Sequence, residues 1–160
     1  MRLRIIAIGR MKQACERTLA DDYLRRAMPL LRRIGLSSVE VRELPESRAT
    51  TPDQRRRQEG AALLKALDAR ATLIVLDERG EECGSRDFAG RLRRLAARGG
   101  PELAVVIGGP DGLDEAVRNR ADWLLSLGRM TWPHRLVRVM LAEQLYRAGA
   151  IAAGLPYHRD

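Results

Sequence analysis

The residues with chemistry to offer crowd into the last third of this 160-residue chain. Both of its histidines, His134 and His158, lie there. His134 closes the stretch Thr131-Trp132-Pro133-His134, and His158 stands between Tyr157 and Arg159 near the end of the chain. A neutral imidazole accepts a proton, a guanidinium holds developing negative charge, and an aromatic ring stacks on a nucleobase. Pro133 precedes or opens a final helix, which puts His134 at a helix N-terminus, where the positive end favours the neutral ring. Two plainer readings stand beside these: a histidine that only packs or caps, and a tail that does nothing. Trp132 either stacks on a base or fills core.

Two glycine loops precede that helix. The apolar run Leu103 to Ile107 breaks into Gly108-Gly109-Pro110-Asp111-Gly112, and Trp123 to Leu127 breaks into Gly128-Arg129-Met130. Adjacent glycines at a strand end let backbone approach a ligand closely and offer N–H and C=O groups to it. A tight turn without a ligand uses the same residues. Strands ending in such loops ahead of a long helix describe a ligand site at the carboxyl ends of parallel strands. Other chemistries lack their anchors. No G-x-G-x-x-G follows the first strand, and there is no G-K-[ST], H-E-x-x-H or G-x-S-x-G. Cys15 and Cys83 have no metal-ligand spacing, so no metal is expected.

The elements that must position these residues alternate. Leu3 to Ile8 reads as a buried strand ended by Gly9. Helical spacing runs from Gln13 to Ile34, interrupted near Pro29 and ended by Gly35. Val39 and Val41 alternate with Glu40 and Arg42 as a half-buried strand. Thr51 or Asp53 caps a helix from Gln54 to Ala69, with Ala61, Leu63, Leu64 and Leu67 inward. Leu73 to Leu76 is a central strand ending in a loop, Asp77 to Gly80. Ser85 caps a helix to Arg98 with Phe88, Leu92, Leu95 and Ala96 inward. Leu103 to Ile107 is a strand, Leu113 to Arg120 a short helix, and Trp123 to Leu127 the last strand. The helix from Arg135 to Ala153 carries apolar residues on more than one face, which fits burial between its own sheet and a partner subunit or a well-covered core. Strands alternating with helices predict an α/β fold with a mostly parallel sheet covered on both faces.

The chain is long enough for one domain, residues 1–160. It holds no apolar run of membrane-spanning length, the opening residues do not read as a secretory signal, and the sparse cysteines suit a reducing cytoplasm. The net charge is +8 and unevenly spread. Residues 1–70 hold 16 basic and 9 acidic side chains, whereas residues 71–160 hold 13 and 12. That asymmetry suits a polyanion lying across one part of the molecule, or else solvated helix faces. Arg55-Arg56-Arg57 opens a helix where the dipole prefers acids, which hints at arginines kept for a partner.

Five segments in fixed order carry a resemblance. They are Val106 to Gly112, Thr131 to His134, Leu136-Val137-Arg138-Val139, Ala142 to Ala148, and Pro156 to Asp160. Together they resemble the bacterial large-subunit rRNA pseudouridine N3-methyltransferases, small members of the SPOUT superfamily. The resemblance covers the whole chain, including the opening strand ending in Gly9 and Tyr23-Leu24-Arg25-Arg26, and is strongest after Leu73. It implies a sheet of five to six strands, a C-terminal deep trefoil knot, a homodimer, and S-adenosylmethionine held in the knotted loops. The matching cofactor positions are Leu76, Gly108, Gly109, Leu127, Gly128, Arg129, Met130, Thr131 and Trp132. The implied substrate is a pseudouridine in helix 69 of 23S rRNA within the assembled 70S ribosome. On this reading His134, Tyr157, His158 and Arg159 position the base, His158 accepts the N3 proton, and Arg159 holds charge on the flanking carbonyls. Gly128-Arg129-Met130 departs from the small and apolar residues expected in that loop, and Arg55-Arg56-Arg57 matches no motif of the family. The rival functions are a non-enzymatic RNA-binding or ribosome assembly factor, and a methyltransferase of another RNA.

Overall fold

Strand residues here must be apolar on both sides, because helices cover both faces of the sheet. In the computed structural model, which describes residues 1–12 and 14–159, neighbouring strand residues divide between two cores. Leu3, Ile5 and Ala7 enter one, and Ile6 and Ile8 the other. The elements run β1 (Arg2–Ile8), α1 (Cys15–Leu31), a 3-10 turn (Arg32–Ile34), β2 (Ser38–Leu44), α2 (Pro52–Ala66) and β3 (Thr72–Glu81). They continue with α3 (Ser85–Ala97), β4 (Glu102–Ile107), α4 (Glu115–Arg120), β5 (Trp123–Leu125) and α5 (His134–Ala152). The sheet has five strands in the order β2-β1-β4-β3-β5, and every pairing is parallel. Helices α1, α3 and α5 cover one face, and α2 and α4 the other. A fully buried leucine such as Leu103 or Leu73 contributes about 1.5–3 kcal/mol by leaving water.

Local chemistry sets most boundaries. Pro29 lies in the last turn of α1, after which the chain tightens into the 3-10 turn and ends at Gly35 with φ of 95°. Thr51 caps α2 in a reciprocal box with Gln54. Helices α1 and α5 cross so closely that a Cβ at Gly149 would lie 2.7 Å from Leu30 Cβ.

Several sequence expectations need correction. Residues 77–80 are not a terminal loop. β3 bulges there and rejoins the sheet at Glu81, whose carbonyl accepts the Ser126 N–H at 3.0 Å. β5 accordingly stops at Leu125 rather than Leu127. α2 ends at Ala66, short of Ala69, because the Asp68 carboxylate takes the Arg70 N–H in a turn. Its inner face is Glu59, Gly60, Leu63 and Ala66, while Ala61 is exposed. A charged residue and a glycine hide that face from any hydrophobic pattern. Ser85 is not a cap: it is the first helical residue, and its Oγ donates to Gln144 Oε1 at 2.9 Å. The expected alternation at β2 is not seen in its burial: Val39 is half-buried, but Val41 is exposed along with Glu40 and Arg42, because β2 is an edge strand. α4 begins at Glu115 rather than Leu113, capped by Asp114.

Candidate active site

A cleft of about 1000 Å³ opens at the carboxyl ends of β3, β4 and β5. Three loops and the first turn of α5 build it. From the end of β3 comes Leu76, and from the end of β4 come Gly108 and Gly109. Past β5 the chain supplies Leu127, Gly128, Met130, Thr131 and Trp132, and the first turn of α5 supplies His134. All but one of the expected cofactor positions therefore share one cavity. The exception is Arg129, whose side chain is 95% exposed and points away, with Glu82 Oε1 3.9 Å from its Nε.

The glycines are spatial requirements. A Cβ at Gly108 would lie 2.7 Å from Leu113 Cγ, and one at Gly109 would lie 2.7 Å from Glu59 Oε2 and 3.0 Å from Ile8 Cγ2. Gly128 has φ of 107°, a region open to glycine, and its N–H donates to the buried Ser126 Oγ at 3.1 Å. The Gly108–Gly112 loop closes on itself through the Gly112 N–H, which donates to Gly109 O at 3.0 Å.

Side chains that the sequence reading did not place in the site secure this loop. Arg55 of α2 grips Asp111 with two hydrogen bonds, Nε to Oδ2 at 2.6 Å and Nη2 to Oδ1 at 3.1 Å. That hydrogen bonding holds the Asp111 carboxyl below the usual carboxylate range. Arg56 pairs with Asp53 and donates to Asp111 O at 3.4 Å. Glu59 lies beneath Gly109, only 4% exposed. Its Oε1 accepts the Ser47 N–H at 2.8 Å, while Oε2 has no hydrogen-bond partner among the described residues. Burial pushes the Glu59 carboxyl up, and Asp111 and Glu46 add to the effect. Nothing in the sequence pattern signals either role, since both depend on which face of α2 meets β4.

His134 is held from behind. Arg138, one turn along α5 and 5% exposed, donates to Gly9 O, to Ile8 O at 3.3 Å and to Glu43 Oε1 at 2.5 Å. Burial works against the Glu43 charge, but the Met11 N–H and Arg138 keep that carboxyl below its usual range. The net seats His134 against the end of β1, where a Cβ on Gly9 would lie 2.9 Å from Nε2. Burial lowers the His134 pKa, and the Arg138 charge lowers it further, so the ring is neutral at pH 7. Arg138 was legible as a lone cation in an apolar helix segment, Leu136 to Met140.

The other expected site residues lie elsewhere. Tyr157 donates to Glu143 Oε1 at 3.0 Å, meets Tyr146 edge-on at 4.6 Å, and lies under the Arg147 guanidinium at 4.8 Å. Burial raises its pKa well above the ordinary value, so the phenol stays protonated. Arg147 also reaches His158 Nδ1 at 3.3 Å. Neither Tyr157, His158 nor Arg159 lines the cleft. Glu143 stands nine residues from His134 along α5, roughly 14 Å at 1.5 Å per residue. Within one chain, then, the tail and His134 do not meet. Among the described residues, no group of three or more His, Cys, Asp or Glu side chains could hold a metal ion. No helix among them is long and apolar enough to cross a membrane.

Comparison with known proteins matches this geometry. A family model described as "Predicted SPOUT methyltransferase" covers residues 1–158. A protein of Brucella anthropi named "Ribosomal RNA large subunit methyltransferase H" is 48% identical over 160 residues, all of both chains. A protein of the same name from Xanthobacter autotrophicus is 50% identical over 159 residues, 99% of each chain. Among solved structures, a probable methylase family protein from Haemophilus influenzae aligns with a TM-score of 0.51 at 13% identity, over 99% of this chain and 70% of that one. A probable methyltransferase from Bordetella pertussis aligns at 0.50 and 17%, over 92% and 94%. At such identities the two structures speak for the fold alone.

Proposed function

The chain belongs to the SPOUT methyltransferase family, and from that premise we propose that it methylates N3 of a pseudouridine in helix 69 of 23S rRNA. It does so as a homodimer acting on the assembled ribosome in the cytoplasm, with residues 1–160 as one domain. The observation that carries this reading is the convergence of Leu76, Gly108, Gly109, the 127–132 loop and His134 on one cleft. Full-length similarity to relatives named for large-subunit rRNA methylation supports the substrate class.

The cleft suits S-adenosylmethionine. It offers backbone of Gly108 and Gly109 for an adenine edge, and Leu76, Leu127 and Trp132 for apolar contact. When bound, the cofactor supplies a methyl group already electrophilic on its sulfonium. The protein's task is to align N3 with that carbon and to remove the N3 proton. His134, neutral in the cleft, orients the base. His158 accepts the proton, Arg159 holds the charge that develops on the flanking carbonyls, and Tyr157 stacks or donates to the ring.

Because His134 and the tail lie apart in one chain, the complete site takes its tail from the partner subunit. The open side of α5, where Leu136 is 40% exposed, is the surface that such a partner covers. A deep trefoil knot fits the same premise.

The test supplies S-adenosylmethionine with a labelled methyl group to ribosomes from a strain lacking this modification. Label at the helix 69 pseudouridine is the expected result. Label on another RNA would keep the chemistry and reject the substrate. No label with intact cofactor binding would favour an RNA-binding assembly factor.

A further inference from the structure

Arg55-Arg56-Arg57 is the motif that neither the family resemblance nor the proposed reaction absorbs, and the structure divides it. Only Arg57 is exposed with no ion pair among the described residues. Arg55 is half-buried and makes four hydrogen bonds. Two go to the Asp111 carboxylate, and two go from Nη1 to Ala49 O at 3.0 Å and Thr50 O at 3.2 Å. It therefore joins the chain entering α2 to the loop leaving β4. One helical turn further on, Glu59 supports the other end of the same loop beneath Gly109, and its backbone partner is Ser47 of that entering chain. Arg55 and Glu59 are four residues apart, so they project from one face of α2. The loop spans Gly109 to Asp111, and α2 holds it at both ends.

We infer that Arg55 is a positioning residue for methyl transfer, setting the shape of the Gly108–Gly112 loop through Asp111 so that its backbone is ready to receive S-adenosylmethionine. The pair does not touch the cofactor cleft with charge to spare. A bidentate guanidinium–carboxylate contact fixes direction as well as distance, which a lysine would not do. With the pair removed, the loop keeps its Gly112-to-Gly109 bond, the long Arg56 bond to Asp111 O at 3.4 Å and the contact with Glu59, none of which fixes the Asp111 side chain, and binding must order more of it. The inference rests on the cofactor reading above.

The experiment compares wild type, Arg55→Ala, Asp111→Asn, the double variant and the charge exchange Arg55→Asp with Asp111→Arg. S-adenosylmethionine affinity is measured by calorimetry and turnover on ribosomes at saturating cofactor. Each single variant should weaken affinity on the order of tenfold, and the double variant no more than either one. Turnover at saturation should stay within about twofold of wild type. The charge exchange should recover part of the affinity. Unchanged affinity in both single variants overturns the inference, as does a loss that comes with an equal fall in saturated turnover. Hydrogen exchange at the Gly112 amide of the cofactor-free protein tests the clamp independently. Faster exchange in Arg55→Ala supports it, and equal exchange overturns it. If wild type itself fails to bind S-adenosylmethionine, the cofactor reading is what fails, and the exchange result still decides the clamp.

Discussion

Two ionisable residues near the cleft, the half-buried His134 and the buried Glu59, carry opposite pH signatures. His134 has its pKa lowered from an ordinary value of 6.5 by burial and by Arg138. Below pH 6.5 the unfolded chain takes up a proton there that the folded chain refuses, so stability falls as pH drops through that window. His134→Gln should flatten the decline between pH 7.5 and 5.5, measured by urea unfolding at each pH; an unchanged slope would count against burial of a neutral ring. Glu59 has its carboxyl raised from an ordinary value of 4.5. Its folded form holds the proton more tightly, so its contribution is fully present below the unfolded value and is lost as pH rises through the folded one. Glu59→Gln, which keeps an acceptor for the Ser47 N–H, should therefore be at least as stable as wild type at pH 7. The two should converge at pH 4. A variant clearly less stable than wild type at pH 7 would show that the charged form is the native one.

Among the elements, the two ends of the sheet are built differently. The carboxyl ends of β3, β4 and β5 open into the cleft, whereas the far end of β1 and β4 is closed by an ion pair. Arg4 Nη2 lies 2.9 Å from Glu102 Oε2, and the Glu102 side chain is fully buried. Arg4 also donates to Ala66 O at 3.1 Å, tying the end of α2 to the same corner. Removing one partner of a buried pair leaves an uncompensated charge. Arg4→Met should cost about 3–5 kcal/mol, and the double variant Arg4→Met, Glu102→Leu should regain most of it. Chemical denaturation of the three proteins measures both. A double variant as unstable as the single one would mean that the corner needs the hydrogen bond to Ala66 rather than charge balance.

At the scale of the whole molecule, the proposed mechanism needs His134 and the tail, which one chain keeps apart, to meet across a dimer. If the partner's tail completes each site, two defects can complement each other. Homodimers of His134→Ala, and of a chain truncated before Tyr157, should each be inactive on ribosomes. A purified heterodimer of the two has one intact cleft facing one intact tail and should turn over through that site alone. No recovery in the heterodimer would refute a shared site. If the basic excess of residues 1–70 meets phosphate, ribosome binding should also weaken steeply with salt. A flat response would point to recognition of base shape or of ribosomal protein. Arg55 and Arg56 should contribute little to that slope, because both already hold carboxylates.

The alternation of apolar runs and helical periods was enough to read five strands, helices on both faces and a parallel sheet, because the central strands must be apolar on both sides to be covered twice. Glycines at strand ends marked the proposed cofactor loops for local reasons: a Cβ at Gly108 or Gly109 has nowhere to go, and Gly128 takes a positive φ. Ordered motifs from Val106 to Asp160 pointed to the family. What the chain order did not reveal was any relation set by packing. Leu63 was expected on the buried face of α2, but Glu59 and Gly60 share that face against any hydrophobic expectation, because its first turns meet Gly109 and Asp114. Arg55 reads as a surface charge until Asp111, 56 residues away, is folded beside it. Asp77 to Gly80 reads as a loop until β5 arrives to reclaim Glu81. Spacing along a chain reports local conformation and the burial of single faces. Which faces meet, and which charge finds which partner, is decided only when distant segments are packed together.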